Sequence, residues 1–303
     1  MYIVDMHCDS LSLVNGETGL INDYNFSKKH NFLQFTAHFS YTGFGTAEQR
    51  RHKLMHAFDV YLSECQRLGL SKIENGRSLF NAIENSKNSV LFSVEGGAGL
   101  MSDSEELLAL SRAGLSVLGM AWDKNELSAS SRESIDTGLT EEGKKMLVRA
   151  TELGIIIDVS HLSDKAFYET FALSPMPHIA THSNFRDVCN NPRNLTRDMA
   201  EKIAMRGGVI GINLYPAFLN ESGEADLNDV LRHIDYGLEL LGDKYLAFGF
   251  DIDGTDGKYP KGLKLFESIH DQVVDVMLSH YSSETVERIA GLNVIEFLKN
   301  NLM

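Results

Sequence analysis

The chain has 303 residues, 43% hydrophobic and 23% charged, an ordinary composition for a soluble globular protein with no sign of disorder. Its 28 Lys and Arg against 42 Asp and Glu give a formal charge of -14, which argues against nucleic acid or an anionic membrane surface as the main partner. The three cysteines, Cys8, Cys65 and Cys189, are dispersed without a Cys-x-x-Cys pair, no basic leader precedes an apolar run, and no run nears the roughly 18 apolar residues of a membrane span. These features predict a cytoplasmic protein whose partner is a small molecule or another protein.

The first predicted strand, residues 3–8, ends in His7-Cys8-Asp9. Side chains alternate along a strand, so His7 and Asp9 share a face and Cys8 points away as a packing residue. A strand at 34–40 and a helix at 47–68 follow, the helix with Thr46 as N-cap. The strand at 90–95 ends at Glu95 before two glycines that permit a sharp turn, and another strand spans 116–121. A helix at 140–153 has Thr140 as cap, acidic residues in its first turn and Gly154 beyond its end. Strands at 155–160 and 178–182 run into His161 and His182, with a helix at 163–173 between them. Helix 197–206, strand 209–214, helix 227–241, strand 246–250 and helix 283–299 complete the chain, and Asp251 and Asp253 follow the last strand.

Alternating strands and helices imply parallel βαβ units with right-handed crossovers. Eight such units in residues 1–303 predict one domain, a (β/α)8 TIM barrel. A doubly wound open sheet is the alternative, but its Gly-x-Gly-x-x-Gly fingerprint is missing after the first strand. In a barrel, function collects at the C-terminal ends of the strands, where His7, Asp9, Glu95, His161, His182 and Asp251 all fall.

Each of these residues alone has a plainer reading: a strand-end Glu is usually solvated, and a lone His is usually a hydrogen-bonded structural residue. Asp251-x-Asp253-Gly254 resembles part of a calcium loop, yet that loop's other acidic positions are missing. Together, three imidazoles and three carboxylates in one concavity carry a desolvation cost that metal ions would offset. Three His and two carboxylates exceed the needs of one open zinc site, and a bridging carboxylate would let five residues hold two metals. The pattern by itself leaves one metal or two open.

The sequence resembles the membrane dipeptidase family, also called renal dipeptidase, a group of zinc peptidases. The resemblance rests on six stretches in family order. They are Asp5-Met6-His7-Cys8-Asp9-Ser10, Ser93-Val94-Glu95-Gly96, residues 153–161, Thr181-His182-Ser183-Asn184, Asn191-Pro192-Arg193-Asn194 and Gly249-Phe250-Asp251-Ile252-Asp253-Gly254. It implies a (β/α)8 barrel with His7 and Asp9 on one zinc, His161 and His182 on the other, and Glu95 bridging both. Family position, not periodicity, selects Asp251 over Asp253 as the acid/base. Arg193, eleven residues past His182, becomes the grip on the substrate's terminal carboxylate. Trp122 stands where mammalian-type members carry a His that helps hold the oxyanion. An indole N–H can donate a hydrogen bond but carries no charge.

The resemblance thus implies hydrolysis of dipeptides by a hydroxide shared between two Zn2+ ions, other divalent metals being alternatives, with Asp251 moving the proton. Rival readings are another amide or lactam hydrolase on the same scaffold and a catalytically silent metal-binding barrel. Neither nucleic acid nor membrane is an expected partner, and a homodimer is left open. His30, His38, His52, His56, His178, His233, His270 and His280 are read as structural or surface residues. Asp158, a charge inside an apolar strand, has no assigned role beyond that of a candidate partner for a ligand.

Overall fold

In the computed structural model, which describes residues 1–9, 27–264 and 267–302, the chain is an α/β fold built on one parallel sheet. Its strands are β1 (Tyr2–Cys8), β2 (Asn31–Phe39), β3 (Ser71–Ile73), β4 (Ser89–Glu95), β5 (Leu115–Gly119), β6 (Ile156–Asp158), β7 (Ile210–Ile212) and β8 (Leu246–Phe248). They lie in the order β6-β5-β4-β2-β1-β8-β7, with β3 beside β4, and every pairing between them is parallel. The sheet curls, and between its terminal strands run two isolated parallel bridges, Asp158 with Ile179 and Ala180 with Ile210.

Period-two alternation sorts the strand side chains into two cores. Val4, Met6, Leu33, Phe35, Leu91, Val117, Ile156, Ile179, Val209 and Ala247 gather in one cluster, joined by Val294, Ile295, Phe297 and Leu298 of the C-terminal helix. Residues from opposite ends of the strand order can meet in this way only on a concave face. Their sequence neighbours, among them Ile3, Val90, Phe92, Leu118, Ile157, Ala180, Ile210, Leu246 and Phe248, face the larger cluster shared with the surrounding helices.

The helices start where side-chain oxygens can take up orphan backbone N–H groups. Thr46 caps Ala47–Leu68 in a capping box with Gln49, Thr140 caps Glu141–Glu152, Ser163 caps Asp164–Leu173, and Thr196 caps Arg197–Met205. The expected helix at 283–299 is instead Ser283–Glu287 and Asn293–Asn301 joined by a π turn over Arg288–Leu292. Helices Gly76–Glu84, Glu105–Arg112, Pro216–Leu219 and Ile269–Leu278 and strand β3 escaped the sequence reading. With ten residues or fewer in each, they present too few periods to stand out.

Several strands are shorter than expected, and two buried aspartates account for part of the difference. Asp158 Oδ1 accepts the N–H groups of Ser160 and Thr181, both at 2.9 Å, so those donors leave the ladder. The predicted strand at 178–182 therefore survives only as the two bridges. Asp5 Oδ1 likewise accepts from His7 N at 3.2 Å and Phe250 N at 3.0 Å, at an irregularity in the β1 register and just past the end of β8. Gly249 keeps this region close-packed, since a Cβ there would stand 1.8 Å from the Thr181 carbonyl oxygen. Cys8, Cys65 and Cys189 are buried, and none forms a disulfide.

Burial pulls the imidazoles of His178 and His233 down to about 4, with Arg206 and Arg232 respectively adding to the effect. In the unfolded chain both take up a proton near pH 6.5. The unfolded state therefore binds more protons between about pH 4 and 6.5, and stability falls as pH drops through that window, by about 1.4 kcal/mol per pH unit for each residue. Denaturant titrations of metal-free protein between pH 7 and 5 should reveal this slope. The His178→Gln variant is expected to reduce it by about one proton, and an unaltered slope would rule His178 out as a source.

Candidate metal centre

The strand ends place His7 and Asp9 after β1, Glu95 at the end of β4, His161 in the turn after β6, His182 after the bridged segment and Asp251 after β8. All six converge. Glu95 Oε1 stands at the middle, 2.8 Å from His161 Nε2, 3.1 Å from His182 Nε2 and 3.6 Å from His7 Nε2. His7 Nε2 also lies 3.5 Å from Asp9 Oδ1 and 3.8 Å from Asp251 Oδ1, and its ring stacks on His182 with centroids 3.7 Å apart. His161 and Asp251 reach this position through left-handed backbone, with φ of 65° and 58°. Such backbone is uncommon outside glycine and is held here by the surrounding packing.

Asp253 takes a different direction from Asp251: it is exposed, and its Oδ2 accepts a hydrogen bond from Cys8 Sγ at 3.2 Å. Asp251 is 8% exposed, and its Oδ2 accepts from Asn213 Nδ2 at 3.0 Å. Gly254 allows the chain to pass close to the acidic groups, because a Cβ there would lie 2.0 Å from Asp251 Oδ1 and 2.7 Å from Asp9 Oδ2. Asn213 was missed in the sequence, although it closes a predicted strand on the same rim. A search confined to titratable side chains passes over an amide.

The electrostatics of the cluster are strained. Burial pushes the Glu95 carboxyl well above its usual range, and repulsion from Asp9 adds to this. Burial together with Asp9 also raises Asp251, to about 7. Burial opposes protonation of His7, but Glu95, Asp9 and Asp251 outweigh it and raise the imidazole to about 10. His161 and His182 are driven well below their ordinary value, first by burial and then by nearby cations, including Arg193. His7 Nε2 and Asp9 Oδ1 are buried without a hydrogen-bond partner. Ligand atoms of His7, Glu95 and His182, and of His7, Asp9 and Asp251, form two groups each within 4.8 Å. Nitrogen and carboxylate donors, orphaned and buried at these distances, fit divalent transition-metal ions.

Arg193 lies beside the cluster, 7% exposed, donating from Nη1 to Ser183 Oγ at 2.7 Å and from Nη2 to the His182 carbonyl at 2.9 Å. Its Nε is buried and unpartnered. Trp122 leans on His161 with ring centroids 6.2 Å apart and packs edge-on against Phe39 and Tyr41. The Arg132 guanidinium covers its ring at 4.0 Å. Behind the cluster, His270 Nε2 lies 2.7 Å from Asp5 Oδ2, a buried contact that fixes the strand carrying His7.

Residues 1–301 match the model of the membrane dipeptidase family, peptidase family M19, and the chain belongs to that family. It is 32% identical over 218 residues to an uncharacterized protein in the pqqA 5' region of Klebsiella pneumoniae, covering 68% of this chain and 80% of that one. It is 30% identical over 213 residues to dipeptidase tcpJ of Claviceps purpurea, covering 69% of this chain and 50% of that protein. The chain thus matches about half the length of the latter relative. Its fold is similar to the crystal structure of the dipeptidase AC, a metallo peptidase, with a TM-score of 0.87 and 23% identity over 100% of this chain and 99% of that one. A metallo peptidase from Rhodobacter sphaeroides, liganded with a phosphinate mimic of the dipeptide L-Ala-D-Ala, matches with a TM-score of 0.84 and 22% identity over 100% and 99% of the two chains.

Chelator-treated protein is expected to gain thermal stability on addition of zinc, by about 2.7 kcal/mol once free zinc reaches about 100 times its dissociation constant. The variants His7→Ala and Glu95→Gln should lose most of that gain. Thermal unfolding with and without zinc, together with metal analysis, measures both effects. A wild-type melting curve indifferent to zinc and other divalent metals would refute the metal reading of this cluster.

Proposed function

We propose that this chain is a metal-dependent dipeptidase in which His7 and Asp9 hold one zinc, His161 and His182 hold a second, and Glu95 bridges the two. The observation that carries the proposal is Glu95 Oε1 facing the Nε2 atoms of three histidines, with Asp9 and Asp251 on the His7 side. The reading extends the parallel sheet to one (β/α)8 barrel domain, residues 1–303, with the 178–182 segment as its remaining stave. The bridges to β6 and β7 and the concave core support that extension. Manganese or cobalt would suit the same donors.

When bound, two zinc ions would supply a water activated near neutral pH and polarise the scissile carbonyl. The protein's part is to hold the peptide and to move one proton. Asp251 takes the proton from the attacking water and delivers it to the departing amine, its carboxylate aimed by Asn213. Arg193 receives the substrate's terminal carboxylate through its unpartnered Nε and the remaining N–H bonds of its fork, which restricts the site to short peptides. Trp122 flanks the His161 side, where its indole N–H would be an uncharged donor to the substrate. The ligand of the Rhodobacter neighbour, a mimic of L-Ala-D-Ala, supports testing a D residue at the second position of the substrate. The site would work in the cytoplasm on freely diffusing dipeptides.

The Asp251→Asn variant should keep its zinc, because Asn tolerates left-handed backbone, and lose about 10²- to 10⁴-fold in kcat. Retained turnover would remove Asp251 from the mechanism. Arg193→Lys is expected to raise KM for dipeptides about 10-fold or more while kcat changes less. Steady-state kinetics on L-Ala-L-Ala, L-Ala-D-Ala and a cyclic amide decide both points, and preferential cleavage of the cyclic amide would favour the lactam hydrolase instead.

A further inference from the structure

We infer that Asp158 is a positioning residue that acts through Thr181 to fix the tautomer of His182, leaving the Nε2 lone pair of that imidazole turned into the site. Asp158, Thr181 and His182 are 3%, 1% and 0% exposed, so no solvent competes with the contacts between them. The Thr181 hydroxyl donates to Asp158 Oδ2 at 2.5 Å. A hydroxyl has one proton to give. Toward His182 Nδ1, 2.7 Å away, the Thr181 oxygen can therefore only accept, and Nδ1 must carry the hydrogen. In the neutral ring Nε2 is then the bare nitrogen, and it faces Glu95 Oε1 at 3.1 Å and His161 Nε2 at 3.0 Å.

Asp158 also orients the hydroxyl's backbone. Its Oδ1 holds the Thr181 and Ser160 N–H groups, while the Ser160 hydroxyl oxygen accepts from His182 N at 3.2 Å. The relay serves one imidazole of the pair: His161 Nδ1 is buried without a partner. A hydrogen bond to the far nitrogen of a ligating histidine fixes its ring and raises its basicity, and losing such a partner typically weakens metal binding about 10- to 100-fold. This consequence for affinity rests on the reading of His182 as a zinc ligand. The tautomer does not depend on that reading.

The alternative is that Asp158 only staples backbone, and two substitutions separate the roles. Thr181→Val removes the hydroxyl but leaves both N–H bonds to Asp158 Oδ1. Asp158→Asn would donate its amide to the Thr181 oxygen, freeing the hydroxyl proton for Nδ1 and moving the imidazole hydrogen to Nε2. Nitrogen-15 NMR of the metal-free full chain at about pH 8, above the ordinary imidazole range, reads which ring nitrogen is protonated. Competition with a chromophoric chelator reads zinc affinity.

Wild type and Thr181→Ser are expected to show protonated Nδ1 and equal affinity. Thr181→Val and Asp158→Asn should lose that signature and bind zinc about 10- to 100-fold more weakly, with thermal unfolding confirming that they fold. A wild-type His182 carrying its proton on Nε2 would overturn the inference without any variant, as would Thr181→Val behaving like wild type in both measurements. If wild type binds neither zinc nor manganese or cobalt, the dipeptidase reading fails, and the nitrogen-15 signature still decides the relay.

Discussion

Three carboxylates and three imidazoles crowded onto one dry rim are the constraint around which the rest of the structure is arranged. Groups of this kind normally remain in water, because each loses hydration on burial and the carboxylates repel one another. Here Glu95 and His182 are 4% and 0% exposed, and burial, with repulsion from Asp9, pushes the Glu95 carboxyl well above its usual range. A fold maintains such a cluster only if every member is anchored by something stiffer than its own side chain. Strand ends provide that stiffness, and the two alternating cores fix which way each strand faces.

Asp5 and Asp158 complete the anchoring in related ways. Each lies within a strand or at its last residue, each uses one oxygen to accept two backbone N–H groups, and each offers its other oxygen to a side chain. Asp5 reaches His270, and Asp158 reaches Thr181. By withdrawing donors from the ladder, the pair ends regular pairing near the level where the functional side chains begin. Their charge inside apolar strands, which looks like an error in the hydrophobic pattern, marks the transition from scaffold to site.

The sequence was most legible where the signal was local and repeated. Strand-helix alternation, the hydroxyl caps at Thr46 and Thr140, and the strand-end positions of Glu95, His161 and His182 are all local properties, and the structure brings the expected six residues together. Shorter elements such as β3 and Gly76–Glu84 carry too little periodicity to be seen. Asn213, Asp5 and His270 were hidden for another reason: their roles depend on which distant residues meet them, and no spacing along the chain encodes that. Asp158 was visible as an anomaly, but its meaning required Thr181, 23 residues further on, to be placed beside it.

The two isolated bridges between β6 and β7 have a mechanical consequence. Regular ladder is sparse along this seam, and local opening is favoured where backbone pairing is sparse. His161 and His182 lie on its two lips, close enough for their ring nitrogens to approach within 3.0 Å. An ion gripped by both would rivet the seam shut, while an empty site would let the lips breathe. Were such an ion bound, its occupancy and the integrity of the sheet would be coupled, so the supply of metal would govern how long the protein survives as well as whether it works.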